Sequence, residues 1–193
     1  QGVSSAASDV YKRQTKDSTS VFTVAAGTNV GYLSSVTSDS SPVLGQTWTD
    51  GRLRDISDPV SGRKITFVYG GGSCPKAASG FVAAPKDMLC EVKFWDGSTA
   101  AISYVDTATG PSIGRLTDYP EAKGDGASVF DLAYDGAGRI ARTRAPLTAS
   151  AAASGVVDAN DSQYWTEVAY AANGRVASIT EQAAAPGATR CTR

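Results

Sequence analysis

The amino-acid sequence predicts an all-β fold of consecutive antiparallel β-hairpins that form a curved open sheet. In the clearest unit, Phe130, Leu132 and Tyr134 occupy alternate positions, as expected for one face of a strand. Residues 135–138 combine an aspartate with two glycines and so provide a turn, after which a second strand begins at Arg139. The same pattern recurs along the chain, and 20 glycines among 193 residues suit a turn-rich protein.

Charge and composition argue against several functional classes. There are 18 Lys and Arg against 19 Asp and Glu, a net charge of -1, so no basic surface for nucleic acid is expected. No apolar run approaches the roughly 20 residues that span a bilayer. The absence of histidine excludes Ser-His-Asp triads, histidine general bases and imidazole metal ligands. We expect no cofactor, no metal site and no catalytic residue in this chain.

The chain is expected to divide into three segments. Residues 1–20 are predicted to be a disordered or artefactual N-terminus, because residues 3–14 look like a translated adapter scar from environmental sequencing. The alternative is an ordinary disordered terminus. Residues 21–182 form the predicted sheet, and residues 183–193 a frayed tail. A scar would also mean that the chain is a fragment of a longer protein.

Short alternating runs separated by turn residues predict the strands in order. The first half of the sheet has runs at residues 21–25, 32–36, 47–49, 52–56 and 63–69. The second half has runs at residues 89–95, 98–105, 113–120, 130–134, 139–143, 164–170 and 175–180. Two-residue hairpin signals stand at Asp50-Gly51, Asp96-Gly97 and Asn173-Gly174.

Two loop insertions are predicted to interrupt the sheet, near residues 70–88 and 146–162. The first is rich in glycine and proline. The second is expected to be an exposed loop rather than a helix, since Gly155 and a cluster of Asp and Asn interrupt it.

A short sequence unit repeats along the chain. Residues 134–140 align without gaps on residues 170–176, and residues 48–53 are a version that is one residue shorter. Such self-similarity is typical of repeat architectures, in which one unit cannot bury its apolar face alone. The residues of the unit and its variants are Trp48, Asp50, Gly51, Arg52, Asp58, Pro59, Gly62, Arg63, Tyr69, Trp95, Asp96, Gly97, Gly114, Arg115, Tyr134, Asp135, Gly138, Arg139, Tyr170, Gly174 and Arg175.

Each position of the unit has a predicted structural role. The aromatic residue ends a strand and packs on a neighbouring strand. The aspartate caps the turn, the glycine opens it, and the arginine starts the next strand, from which it can reach back to the aspartate. That ion pair would be exposed and would contribute little stability by itself.

On these residues the chain resembles the YD-repeat, or RHS-repeat, family. The family signature is an aromatic, Asp, two spacers, Gly-Arg and an aliphatic residue, often followed by Asp-Pro-x-Gly. The resemblance covers residues 46–181. The chain departs from the signature at Ala171, which replaces the aspartate, in the shortened first copy, and at Gly114-Arg115, which no aromatic-Asp pair precedes.

The resemblance implies a structural function. Family repeats build a hollow β-shell, and bacterial members are secreted or attached to the cell surface and often enclose or carry a C-terminal toxin domain. The implied partners are adjacent repeats of the full-length chain and an encapsulated toxin domain or surface glycans. The alternative is a carbohydrate- or cell-surface-binding β module that acts in adhesion.

Three cysteines are present, at positions 74, 90 and 191. Cys74 and Cys90 bracket the first insertion and are the candidates for a disulfide, which would indicate an oxidising compartment. Two unrelated free thiols or a metal pair are the alternatives. Cys191 is expected to be free and mobile.

The remaining candidate sites have simpler interpretations. Trp48, Trp95 and Trp165 could stack on sugars, but packing within the sheet is preferred. An anion site at Arg139, Arg142 and Arg144 is disfavoured against a solvated strand face. Residues 158–162 resemble a calcium loop without its glycine or its final glutamate, which favours an ordinary polar loop. A glycosidase would need two convergent carboxylates, and the aspartates are already explained as turn residues.

Overall fold

The computed structural model describes residues 10–15, 18–24, 30–38, 41–71, 73–120, 127–183 and 189–193. The chain divides into two units: the first reaches Phe67 and includes Lys93–Trp95, and the second comprises Val68–Val92 and the residues from Asp96 onward. The predicted fold class is confirmed, because the described residues form consecutive antiparallel β-hairpins in an open sheet.

In the first unit, each strand pairs antiparallel with the next one along the chain. The strands are β1 (Val10–Thr15), β2 (Ser18–Val24), β3 (Gly31–Ser38), β4 (Ser41–Thr49), β5 (Arg52–Ser57) and β6 (Lys64–Tyr69), whose last two residues belong to the second unit. Between β4 and β5, Asp50 and Gly51 have φ values of 50° and 75°. These left-handed values are what a two-residue hairpin turn requires, so the predicted turn is confirmed.

Strand β1 lies within residues 1–20, where the sequence predicts disorder. Val10 pairs with Thr23 and Thr15 with Ser18, so β1 and β2 form a hairpin. Strand pairing uses the main-chain N–H and C=O groups, and residues 10–15 contain neither proline nor glycine. The backbone of this segment can therefore pair although its side-chain pattern gives no strand signal.

The second unit contains the remaining strands and the helices. They are β7 (Leu89–Lys93), β8 (Thr99–Thr107), β9 (Gly110–Tyr119), β10 (Ser128–Tyr134), β11 (Ile140–Arg144), α1 (Pro146–Ala153), a 3-10 helix (Ser162–Tyr164), β12 (Thr166–Tyr170) and β13 (Val176–Thr180). Strands β8 to β13 pair antiparallel in chain order. Among the described residues, every deeply buried apolar side chain belongs to this unit: Val68, Cys90, Tyr104, Val129, Ala149, Trp165 and Ala183.

Helix α1 corrects the prediction of a loop at residues 146–162. Pro146 is preorganised for the first helical position, and the following alanines have the highest helix propensity. Ala149 is fully buried, and the helix packs on β10. Gly155, with a φ of 75°, donates its N–H to Ala152 and so caps the helix C-terminus rather than interrupting the helix.

The C-terminal residues also differ from the predicted frayed tail. Ile179 of β13 and Arg193 exchange both backbone hydrogen bonds at 2.9 Å, and Thr180 forms a bridge with Thr192. The guanidinium of Arg190 donates to the carboxylate of Glu167 at 3.1 Å. Residues 189–193 pair with β13 because the strand would otherwise leave its outer N–H and C=O groups without protein partners.

Candidate functional site

The aspartate of the repeat unit organises the turn between β10 and β11. One carboxylate oxygen of Asp135 accepts hydrogen bonds from the backbone N–H groups of Ala137 and Arg139, both at 2.9 Å. The other oxygen accepts from Nε of Arg139 at 2.8 Å, so the arginine reaches back to the aspartate as predicted. The hydrogen bond from the backbone of Arg139, followed by that from its side chain, lowers the pKa of Asp135.

Other copies of the turn use the same chemistry. Asp58 accepts from the hydroxyl of Ser61 and from the N–H of Val60, and these bonds lower its pKa. Asp96 accepts from the hydroxyl and the N–H of Ser98, and its pKa is lowered in the same way. At the last turn, the side-chain oxygen of Asn173 accepts from the N–H of Arg175 at 3.1 Å.

In three copies of the repeat, the aromatic residue donates a hydrogen bond to the strand before it. Tyr134 donates its hydroxyl to the carbonyl oxygen of Ile113 on β9, and Tyr170 donates to Ile140 on β11, both at 2.8 Å. In the first unit, the indole N–H of Trp48 on β4 donates to the carbonyl of Leu33 on β3, also at 2.8 Å. Three copies of the unit thus join successive strands by the same type of hydrogen bond.

The arginine of the unit stacks on an aromatic ring. The guanidinium carbon of Arg139 lies 4.1 Å from the ring centre of Tyr170, which belongs to the next repeat. Arg63 lies 5.5 Å from the ring of Trp95, within the first unit. This contact was not predicted, because it joins residues that are about 30 positions apart in the chain.

The other residues of the repeat unit lie at strand ends and turns. Positive φ values of 72°, 87°, 77° and 80° at Gly62, Gly97, Gly138 and Gly174 respectively confirm that these glycines open the turns. Arg52 is the first residue of β5 and Tyr69 the last residue of β6, while Pro59 and Arg175 are exposed in turns.

Gly114 and Arg115, counted among the repeat variants, lie in the strand that the sequence predicts at residues 113–120 and not in a repeat turn. Both lie inside β9. A Cβ atom at Gly114 would stand 2.6 Å from side-chain atoms of Phe81 and Val105, so the glycine is needed for the close approach of Phe81. The guanidinium of Arg115 then lies 4.7 Å from the ring centre of Phe81.

A buried row of polar side chains crosses four strands of the second unit. Ser103 pairs with Arg115, Arg115 with Asp131, and Asp131 with Arg144. Nε and Nη2 of Arg115 donate to the two carboxylate oxygens of Asp131 at 2.6 and 2.9 Å, and Arg144 donates through Nε at 3.1 Å and through Nη2. Asp131 is 0% exposed and Arg144 3%, so Arg144 does not lie on the predicted solvated face.

Both insertions cover this row. From the first, the backbone N–H of Ala78 donates to the hydroxyl of Ser103 at 3.3 Å. From the second, the carbonyl of Ala159 accepts from Nη1 of Arg144 at 3.1 Å. The ring of Trp165, which follows this insertion, lies 4.3 Å from the Arg144 guanidinium carbon. The sequence does not predict this row, because nothing in the local pattern shows that the insertions fold over this face.

A cavity of about 860 Å³ lies between the two insertions and the row. Arg115 and Arg144 line it together with Phe81, Trp165 and Tyr134. Burial raises the pKa of the Tyr134 hydroxyl. The cavity therefore combines charged and aromatic groups, the composition of many small-molecule sites.

A disulfide fixes the first insertion. Cys74 and Cys90 are bonded, with Cα atoms 5.7 Å apart, so the prediction is confirmed and the alternatives of free thiols and a metal pair are excluded. Cys90 lies on β7 and is 1% exposed. Cys191 is free, as predicted, and its side chain is exposed.

The calcium-like segment is an ordinary polar loop. Asp158 accepts from the backbone N–H of Asn160 at 2.8 Å. Asp161 accepts from the side chain and backbone of Gln163, and these bonds lower the pKa of Asp161. The described residues contain no group of three or more Cys, Asp or Glu side chains placed to hold a metal.

Among the residues that the structure describes, no helix is long and apolar enough to cross a membrane.

Comparison with known proteins adds no family assignment. No protein-family model matches the sequence. No curated protein matches it at a significant level.

Proposed function

We propose that this chain is a structural segment of a secreted or cell-surface bacterial protein of the RHS/YD-repeat type. Its repeats build a hollow β-shell that encloses or displays a C-terminal toxin domain. The segment itself carries out no catalysis, and its partners are the adjacent repeats of the full-length chain.

One observation carries the proposal: in three copies of the repeat, the aromatic residue donates a hydrogen bond to the backbone of the preceding strand. Tyr134, Tyr170 and Trp48 all do so at 2.8 Å. The arginine of one repeat also stacks on the aromatic ring of the next, as Arg139 does on Tyr170. Interactions between nearest neighbours of this kind let a repeat array grow without a central core, which is what a wall requires.

The Cys74–Cys90 disulfide supports the proposed location. Disulfides persist in oxidising environments such as the cell exterior and are rare in reducing cytosol.

The decisive experiment recovers the complete reading frame around this segment and expresses the whole protein. We expect further aromatic-Asp-x-x-Gly-Arg units on the flanks and a C-terminal domain that resists limited proteolysis. The matched control is the same C-terminal domain expressed without the repeats, which should be digested rapidly. A reading frame without further repeats, or equal digestion of the two proteins, would refute the proposed role.

Adhesion to carbohydrate is the second candidate, and the exposure of Trp95 favours it. The Trp95 side chain is 52% exposed, whereas Trp165 is 8% exposed and donates its indole N–H to Ala159. A glycan array probed with the wild type and the Trp95→Ala variant tests this. Specific binding that the substitution abolishes would favour adhesion over a purely structural role.

A further inference from the structure

The cavity beneath the two insertions contains an arginine with unused hydrogen-bonding capacity. The Arg115 side chain is only 10% exposed, and its Nε and Nη2 atoms donate to Asp131. Within the described residues, its Nη1 atom has no hydrogen-bond partner, and Arg115 lines the cavity. No fully buried side-chain nitrogen lacks a partner in the same residues, so Nη1 retains some exposed surface. Its two N–H groups are therefore free to bind a ligand.

The buried cluster also has a net positive charge. Arg115 and Arg144 are cationic and Asp131 is anionic, so these three nearly inaccessible side chains sum to one positive charge. Asp135, which also lines the cavity, is neutralised by Arg139, and Asp106 is exposed. Burying a net charge is unfavourable unless an opposite charge accompanies it. A monovalent anion would neutralise the cluster, whereas a phosphate dianion would reverse its sign.

We propose that this cavity binds a small carboxylic acid, whose carboxylate accepts hydrogen bonds from Nη1 of Arg115. The volume of about 860 Å³ lies within the range of ligand pockets, and Phe81, Ala152 and Trp165 supply apolar surface for the body of the acid. The Cys74–Cys90 disulfide and the close approach of Phe81 to Gly114 fix one wall. This binding does not depend on the proposed structural role.

The test titrates the purified, disulfide-intact chain with 2-naphthoate, glucuronate and inorganic phosphate by isothermal calorimetry in mildly alkaline buffer, where phosphate is predominantly a dianion. The first two probes distinguish an aromatic from a sugar acid, and phosphate tests the requirement for a monovalent anion. We expect saturable binding of at least one carboxylate, at least about tenfold tighter than that of phosphate, because only the carboxylate matches the charge of the cluster.

A matched pair of variants locates the site. Ala152→Trp places a large ring in the cavity and should weaken carboxylate binding about tenfold or more. Leu147→Trp adds the same ring on the same helix at a position that is 88% exposed, and it should bind like the wild type. Both variants leave the Asp131 cluster intact, and circular dichroism verifies folding. Absence of saturable carboxylate binding, phosphate binding of equal strength, or unchanged binding by Ala152→Trp would overturn the proposal.

Discussion

At the scale of single residues, Asp131 is the buried centre of an ionic cluster. It is fully buried, and its carboxylate accepts hydrogen bonds from Arg115 and Arg144. Removing one partner of a buried ionic cluster leaves uncompensated charge, which is more costly than loss of the whole cluster.

We therefore predict that Asp131→Asn lowers the free energy of unfolding by about 3–5 kcal/mol. Denaturant unfolding at neutral pH measures this change. Asp135→Asn, at a solvent-accessible pair, is the control and should have a much smaller effect. A loss at Asp131 no larger than that at Asp135 would show that the cluster is not the stabilising feature we infer.

The lowered pKa of Asp135 predicts that its contribution to the free energy of unfolding depends on pH. Its folded-state pKa is lowered by the hydrogen bonds from Arg139, so its stabilising contribution is present above the unfolded pKa of about 4. The contribution is lost as the pH falls through the lower folded pKa. The difference in unfolding free energy between the wild type and Asp135→Asn should therefore shrink between neutral pH and about pH 2. A difference that is constant across this range would contradict the prediction.

At the scale of elements, the two insertions cover a polar face of the sheet and bury its charged side chains. The first insertion places Phe81 over Arg115, and Trp165, which follows the second insertion, lies over Arg144. The described residues of the first form no helix or strand, and its position relies on the disulfide and on isolated bridges such as Val82 to Tyr104.

We predict that Cys74→Ser lowers the free energy of unfolding by about 3 kcal/mol, because the bond closes a loop between residues 16 apart. Denaturant unfolding under non-reducing conditions measures the loss. Cys191→Ser removes a free, exposed thiol and should leave stability unchanged. An equal effect of the two substitutions would argue that the disulfide contributes nothing specific.

At the scale of the whole molecule, burial is uneven between the two units. The deeply buried apolar side chains of the described residues all lie in the second unit, while the described side chains of β2 to β5 are half-buried or exposed. Elements with few buried contacts open with a smaller free energy than the core.

Hydrogen–deuterium exchange should therefore be faster in β2 to β5 than in β8 to β11. Asp131→Asn serves as an internal control, since it should accelerate exchange in β9, β10 and β11 and leave β2 to β5 unaffected. Equal protection of the two groups of strands in the wild type would mean that the chain unfolds as one cooperative unit.

The sequence by itself determined the local architecture, because turns and strand alternation depend on residues that are close in the chain. The aspartate–glycine turns, the return of Arg139 to Asp135 and the Cys74–Cys90 pair were all predicted from such patterns. Only the tertiary structure decided which face of the second unit is interior. Alternation marks Phe130, Leu132 and Tyr134 as the apolar face, yet Asp131 on the opposite face is the most buried.

Long-range packing also explains the helix at residues 146–153 and the order of residues 189–193, which the sequence did not predict. Residues 146–153 form a helix because Ala149 packs on β10, and residues 189–193 are ordered because β13 offers them an edge. The sequence shows no periodic pattern for a helix that packs on a distant strand. It shows none either for charge that is buried under a distant loop. The strands and turns could therefore be predicted, whereas the cavity and its arginines are defined by long-range contacts alone.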